Sequence, residues 1–379
     1  MTTEPIPFVR PCLPSLGELS PVYDEILRSG MVTTGPYAER LGLEVAASLG
    51  VPNATAVSSC TTGLVLAIQA LQLPEGAEVI LPSFTFMASG IAPVWNRLRL
   101  RFVDVDGETM NIDPARVEEA ITPDTALILG VHQFGSPAPI EALQHIADRH
   151  GLFLAFDAAH GFGAYHQGEP LGKNGRFEVF SLSPTKLLIA AEGGIVSTND
   201  PAIAEHVRIG RNYGNPGNYD CLFPGLNARM SELHAILALY SLTQLEAASR
   251  HRNQAVGWYK ERLAEVPGIG FQRIQEGDIS SYKDFSIVVE ASFGMSRDRL
   301  MEALKAEQIH TRVYYSPVLH RMQAFLGFGG EALDEQLPHT LHLQEHALSL
   351  PLYSDMKEDE VDLVCAAIHR IHKAVGRES

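Results

Sequence analysis

Lys186 stands alone in SLSPTKLLIAAEGG (181–194), between a Pro-Thr turn and an aliphatic run. Lysine is among the residues least often buried. With few charges beside it, a lysine loses basicity and can serve as a nucleophilic amine. Taken alone it reads as a side chain that snorkels to water. Two other motifs change its weight. FDAAHG (156–161) sets Asp157 at the end of an apolar run, as a cap or as a partner for a buried cation, with His160 three residues on. SSCTTG (58–63) follows TAVSS and opens a helical pattern. Its free N–H groups and hydroxyls make a phosphate cup, although alone it reads as an ordinary N-cap run. A lysine amine, a carboxylate for a pyridinium nitrogen and an anion cup are together the requirements of pyridoxal phosphate.

Such a meeting needs a scaffold that ends several strands at one rim. Between residues 40 and 200 apolar runs alternate with helix-like stretches. The runs are EVILPSF, LRLRFVDV, TALILGVHQF, LFLAFDAAH, FEVFSLS and GGIVSTN. With TAVSS they make seven strands. Strands without strict alternation, separated by helices, predict a mostly parallel sheet covered on both faces. Ligands bind beyond the carboxyl ends of such strands. A long helical pattern runs from Met230 to Val266. FSIVVE and TRVYYSP then read as strands, with helices at SRDRLMEALKAEQ and DEVDLVCAAIHRIHKAV. The fold class is therefore α/β, with a large domain over 1–245, including the N-terminal segment, and a smaller α+β domain over 246–379. RNYGNPGNYDCLFPGLN (211–227) reads as a long functional loop.

Composition removes several classes. The 379 residues carry 29 Lys+Arg against 45 Asp+Glu, a formal charge of −16. That argues against a nucleic-acid partner but leaves room for a locally positive phosphate pocket. The four cysteines form no CxxC pair, and no apolar run approaches the roughly eighteen residues of a membrane span. MTTEPIPFVRPCLP lacks the apolar core of a signal peptide, so the expected compartment is the cytoplasm. No GxxxxGK[ST] is present, and GFGAYHQG lacks the third glycine of a dinucleotide fingerprint. The fifteen histidines include HTLHLQEH but no HExxH, and no metal site is expected.

The motifs, in order, resemble the DegT/DnrJ/EryC1/StrS sugar aminotransferases, which are aspartate-aminotransferase-like, fold-type I enzymes. They are GMVTTGP (30–36), SSCTTGL (58–64), LPSFTFMAS (81–89), FVDVD (102–106), VHQFG (131–135), DAAHGFGA (157–164), FSLSPTK…EGG (180–194), RNYG (211–214), GLNARMSELHA (225–235), RVYYSPVLH (312–320) and LSLPLY (348–353). The resemblance implies that Lys186 forms the Schiff base and then acts as general acid and base. It implies that Asp157 pairs with the pyridine nitrogen and His160 reaches the ring hydroxyl. Thr61, Thr62 and Ser181 hold the phosphate, Phe86 stacks on the ring, and Asn227 crosses a homodimer interface to the neighbour's phosphate. Thr34, Tyr213, Arg229, Tyr315 and His320 are the implied substrate contacts, with Arg211 and Arg312 as further candidates for a diphosphate. The sequence departs from the family's habit at Cys60, Leu182, Ser183 and the LLIAA run.

The implied reaction moves an amine from L-glutamate, through pyridoxamine phosphate, to C4 of a nucleotide-linked 4-keto-6-deoxyhexose such as dTDP-4-keto-6-deoxy-D-glucose. That is a step of deoxyaminosugar and antibiotic biosynthesis. The rival readings are a C3 or cyclitol aminotransferase, and a non-catalytic cofactor-binding regulator. Lys186 disfavours the dehydratase branch, in which histidine replaces the lysine.

Overall fold

A computed structural model describes residues 5–375. The first residues of the segment judged not to be a signal peptide, Met1–Glu4, lie outside it, as do Gly376–Ser379. The chain opens with α1 (Leu16–Ser29) and α2 (Pro36–Leu49), then alternates. β1 (Asn53–Val57) leads to α3 (Cys60–Ala70), β2 (Glu78–Pro82) to α4 (Met87–Trp95) and β3 (Arg99–Val103) to α5 (Pro114–Ala120). β4 (Thr125–Val131) is followed by α6 (Ile140–His150) and β5 (Phe153–Asp157). A small hairpin, β6 (Tyr165–His166) and β7 (Glu169–Pro170), precedes β8 (Glu178–Ser181), β9 (Gly194–Thr198) and α7 (Pro201–Gly210).

Seven of these strands form one sheet in the order β1-β9-β8-β5-β4-β2-β3. Only β9 runs against its neighbours. The pleat sorts side chains between two cores. Ile80 of β2 joins α2, α5 and α6 on one face, while Val79 and Leu81 join α3, α4 and α7 on the other. This two-faced burial explains the near-continuous apolar runs.

One helix, α8 (Glu232–Leu263), crosses into the smaller unit. Its first half packs on the large core through Ala235 and Leu239, and its second half enters a separate core through Val256, Tyr259 and Leu263. That second core holds β10 (Ile269–Phe271), β11 (Phe285–Val289), α9 (Arg297–Ala306), β12 (Ala347–Leu350) and α11 (Glu358–Val375), with the sheet ordered β10-β11-β12. α10 (Pro338–His346) joins the two units.

Three expectations are corrected. The N-terminal segment does not belong wholly with residues 1–245, because Ile6 pairs with Ile309 and is buried in the second core. In reverse, Leu319, Phe325 and Leu337 pack into the large-domain core. TRVYYSP is not a strand. It makes one bridge, Arg312 to Ser349, and residues 314–317 form bends. Among the described residues no helix is long and apolar enough to cross a membrane.

Candidate active site

β1, β5 and β8 are parallel members of one sheet, so their carboxyl ends share an edge. β1 delivers Ser58 and the N-terminus of α3. There Ser59 Oγ accepts from Thr62 N at 3.1 Å, and Thr62 Oγ1 accepts from Ser59 N at 3.2 Å. This capping box satisfies part of the helix end and gathers three hydroxyls at its positive pole. Gly194, opening β9, is what allows the approach: a Cβ there would sit 2.6 Å from Cys60 N.

β5 ends at Asp157, which is buried. Oδ2 accepts from Ser89 Oγ at 2.7 Å and Oδ1 from Ala159 N at 3.0 Å, while Cys60 Sγ lies 3.9 Å from Oδ1. Burial nevertheless holds its pKa above the ordinary carboxylate value. The bonds from Ser89 and Ala159 and the charge of Lys186 offset that burial only in part. Three residues on, His160 has a buried Nδ1 without a hydrogen-bond partner, and burial drives its pKa well below the ordinary value.

Lys186 follows β8. Its backbone N–H closes a turn onto Ser183 O at 3.0 Å. The Leu187–Ala190 run is buried and is held to α8 through Ser241, whose hydroxyl takes Ile189 N–H and donates to Leu187 O. The residue as a whole is half-buried, yet protein surrounds its amine. Desolvation, then the like charge of Lys283, lowers its pKa from 10.5 to about 7. Asp284, Cys60 and Asp157 oppose that fall.

Lys283 and Asp284 are residues that sequence reasoning missed. Both are buried, and Lys283 Nζ contacts both Asp284 oxygens, at 2.8 and 2.7 Å. Their segment reaches the site because Ser281 Oγ donates to His160 O at 2.6 Å. The only signal in the sequence was two adjacent charges opening an apolar strand.

The DegT/DnrJ/EryC1/StrS aminotransferase family model matches residues 17–369. The chain belongs to this family. This aminotransferase is 33% identical over 366 residues to the "dTDP-4-amino-4,6-dideoxy-D-glucose transaminase" of Escherichia coli, covering 95% of this chain and 97% of that one. It is 31% identical to the spore coat polysaccharide biosynthesis protein SpsC of Bacillus subtilis, with 92% and 93% covered. Among solved structures, DesI "in the presence of its TDP-sugar product" superimposes with a TM-score of 0.90 at 34% identity, covering 100% of this chain and 96% of that one. DesV of S. venezuelae, "in complex with ketimine intermediate", has a TM-score of 0.90 at 31% identity, with 98% and 99% covered.

The remaining expected residues of this aminotransferase divide by position. Phe86 caps α4 with its ring half exposed, three residues before the Ser89 that holds Asp157. Thr61, in the first turn of α3, and Ser181, which ends β8, are half-buried. Asn227 is exposed, and its Oδ1 accepts from Arg229 Nη2 at 3.1 Å. Arg229 also donates to Asn212 Oδ1 at 2.7 Å and lies over the exposed Tyr213 ring. Arg229 thus ties Asn212, Tyr213 and Asn227 together within the loop. Arg211 is mostly buried on Ala56 O, whereas Arg312 is exposed.

Thr34 is exposed, with φ 51°. The motif around it is shaped by a second missed residue. Glu232, fully buried, accepts from Gly35, Tyr37 and Ala38 N–H at 3.0, 2.8 and 3.0 Å. A Cβ on Gly35 would sit 2.7 Å from that carboxylate. Tyr315 is buried, edge-on to Phe84 and stacked on Phe134. His320 does not reach the site surface. It is wholly buried, with Nδ1 on Ser83 Oγ at 2.7 Å and Nε2 on Asp334 at 3.0 Å, so both ring nitrogens are engaged.

Proposed function

We propose that this aminotransferase binds pyridoxal phosphate at the rim of β1, β5 and β8 and aminates a nucleotide-linked keto-sugar. The observation that carries the reading is that Asp157 ends β5, the α3 cup follows β1 and Lys186 follows β8, with Lys186 near enough to feel the charges of Cys60 and Asp157. The residues fit the cofactor. A protonated ring nitrogen gives Asp157 the cation that its raised pKa calls for. The ring hydroxyl gives the orphaned His160 Nδ1 a partner. The phosphate suits the α3 N-terminus with Thr61, Thr62 and Ser181. When bound, the cofactor supplies the electron sink that makes an amino acid's α-proton removable.

The protein's share is positional and protonic. Asp157 keeps the ring nitrogen protonated. Lys186 Nζ, whose lowered pKa of about 7 leaves a large share neutral near pH 7 when free, takes the proton from the donor's α-carbon and returns one to the product side. The buried 187–190 run keeps water from that amine. Thr34, Tyr213 and Arg229 face the substrate, with Tyr315 behind them, while His320 serves the fold. Asn227, exposed on its protomer, reaches the phosphate of a second copy, which makes the working unit a homodimer. L-Glutamate is the amino donor and the cytoplasm is the compartment.

The relatives named for dTDP-4-amino-4,6-dideoxy-D-glucose and for a TDP-sugar product support C4 of a dTDP-4-keto-6-deoxyhexose as the acceptor position. The test is incubation with glutamate and a panel of nucleotide keto-sugars, with products read by mass and NMR. Nitrogen at C4 is expected. Nitrogen at C3, or turnover confined to cyclitol ketones, refutes the substrate. Protein lacking bound cofactor and its near-visible absorbance refutes the enzyme, whereas cofactor bound without turnover favours the regulator.

A further inference from the structure

HTLHLQEH held two histidines four residues apart, a spacing that places both on one face of a helix. In the structure they do share a face. His342 and His346 lie on α10 with their rings stacked, centroids 4.2 Å apart. Glu290, directly after β11, meets them from the sheet side, with Oε1 2.9 Å from His342 Nε2. One donor atom from each of the three lies within 4.8 Å of the others, and all three side chains are half-buried and reachable from solvent.

We propose that Glu290, His342 and His346 bind one nitrogen-seeking divalent transition-metal ion of the zinc or copper type. The hydrogen bonds support this directly. His346 Nδ1 lies 2.8 Å from His342 O, and a carbonyl can only accept, so the proton sits on Nδ1 and the Nε2 lone pair is free. A backbone carbonyl orienting the far nitrogen is the arrangement that ligating histidines use. His342 Nε2–H donates to Glu290 in the metal-free protein. Binding transfers that imidazole's proton to its other nitrogen or releases it, and both groups then turn their lone pairs to the ion. Two imidazoles and one carboxylate suit zinc or copper far better than magnesium or calcium, which prefer oxygen. Three protein ligands leave a fourth position for water.

The site also has a mechanical consequence. Asp104, following β3, caps the start of α10 by accepting from His339 N at 3.0 Å and Thr340 N at 2.8 Å. The other end of α10 runs straight into β12, which pairs with β11. A metal at Glu290, His342 and His346 locks that end to the small-domain sheet, so the strut between the two units becomes fixed at both ends.

The test uses full-length, tag-free protein treated with chelator and dialysed. Zinc is titrated by calorimetry, and copper is followed by electron paramagnetic resonance for nitrogen hyperfine structure. The expected result is one ion per chain, a melting temperature that rises with zinc, and no such effect of magnesium. His342→Ala and His346→Ala each abolish binding, and Glu290→Gln weakens it, with circular dichroism unchanged. The absence of saturable zinc binding in the wild type overturns the proposal. So does one-to-one binding that persists in the His342→Ala/His346→Ala double variant.

Discussion

The cofactor-free protein should become more stable when Lys186 is replaced by Met. In an unfolded chain this amine holds its proton up to its ordinary pKa of 10.5, whereas in the fold it releases it near 7. A base whose folded pKa is depressed destabilises the fold most at low pH. The penalty is complete below the folded pKa and fades as pH rises toward the unfolded value. Each decade of proton affinity is worth about 1.4 kcal/mol, so the ceiling is about 5 kcal/mol at pH 6 and about 3 kcal/mol at pH 8.5. Methionine keeps most of the chain's volume and removes the charge. Urea unfolding of wild type and Lys186→Met at both pH values gives four midpoints. The gain should exceed its pH 8.5 value by about 2 kcal/mol at pH 6, if the slopes match. A gain equal at the two pH values, or a loss, refutes the claim that burial lowers the Lys186 pKa. Titrating groups that do not couple to Lys186 cancel in this double difference.

Lys283→Met removes the like charge nearest to Lys186 in effect and leaves Asp284 unpaired, and both changes raise the Lys186 pKa. The acid limb of the activity–pH profile should move to higher pH, with Lys283→Arg restoring it; an unmoved limb refutes the coupling. Asp157→Asn should weaken retention of pyridoxal phosphate in equilibrium dialysis while leaving the unfolding midpoint of the cofactor-free protein equal or higher, since burial already penalises this carboxylate. Glu232→Gln keeps one acceptor for three N–H donors and should destabilise the fold by about 1–3 kcal/mol. Limited proteolysis should then cut first near Gly35, and a protected wild-type pattern counts against this account of the motif.

The chemistry of the site was legible because each part lies in a contiguous motif. Lys186, Asp157 and the 58–63 cup each end a strand, and apolar runs without strict alternation announce a parallel sheet. Strand ends then share a rim by topology, without any need to know distances. The position of α8 was legible too, because one helical pattern, unbroken by Pro, runs from Met230 to about Val266. What failed was whatever depended on distant partners. TRVYYSP has strand composition, but it makes a single bridge to β12 and Tyr315 packs instead against Phe84 and Phe134. Ile6 is one apolar residue in a proline-rich segment, and only the second core assigns it.

By itself, then, the sequence determined the sheet, the order of its motifs and the candidate groups that end its strands, because local pattern and strand polarity suffice for those. Tertiary structure alone decided their electrostatics. Lys283 stands 97 residues after Lys186 in the chain, Glu232 caps a helix whose Gly35 lies 197 residues away, and Glu290 meets His342 across 52. No periodicity encodes such meetings. Desolvation and charge coupling act through space, so the pKa of Lys186 and the retreat of His320 into the core follow from packing and not from spacing along the chain.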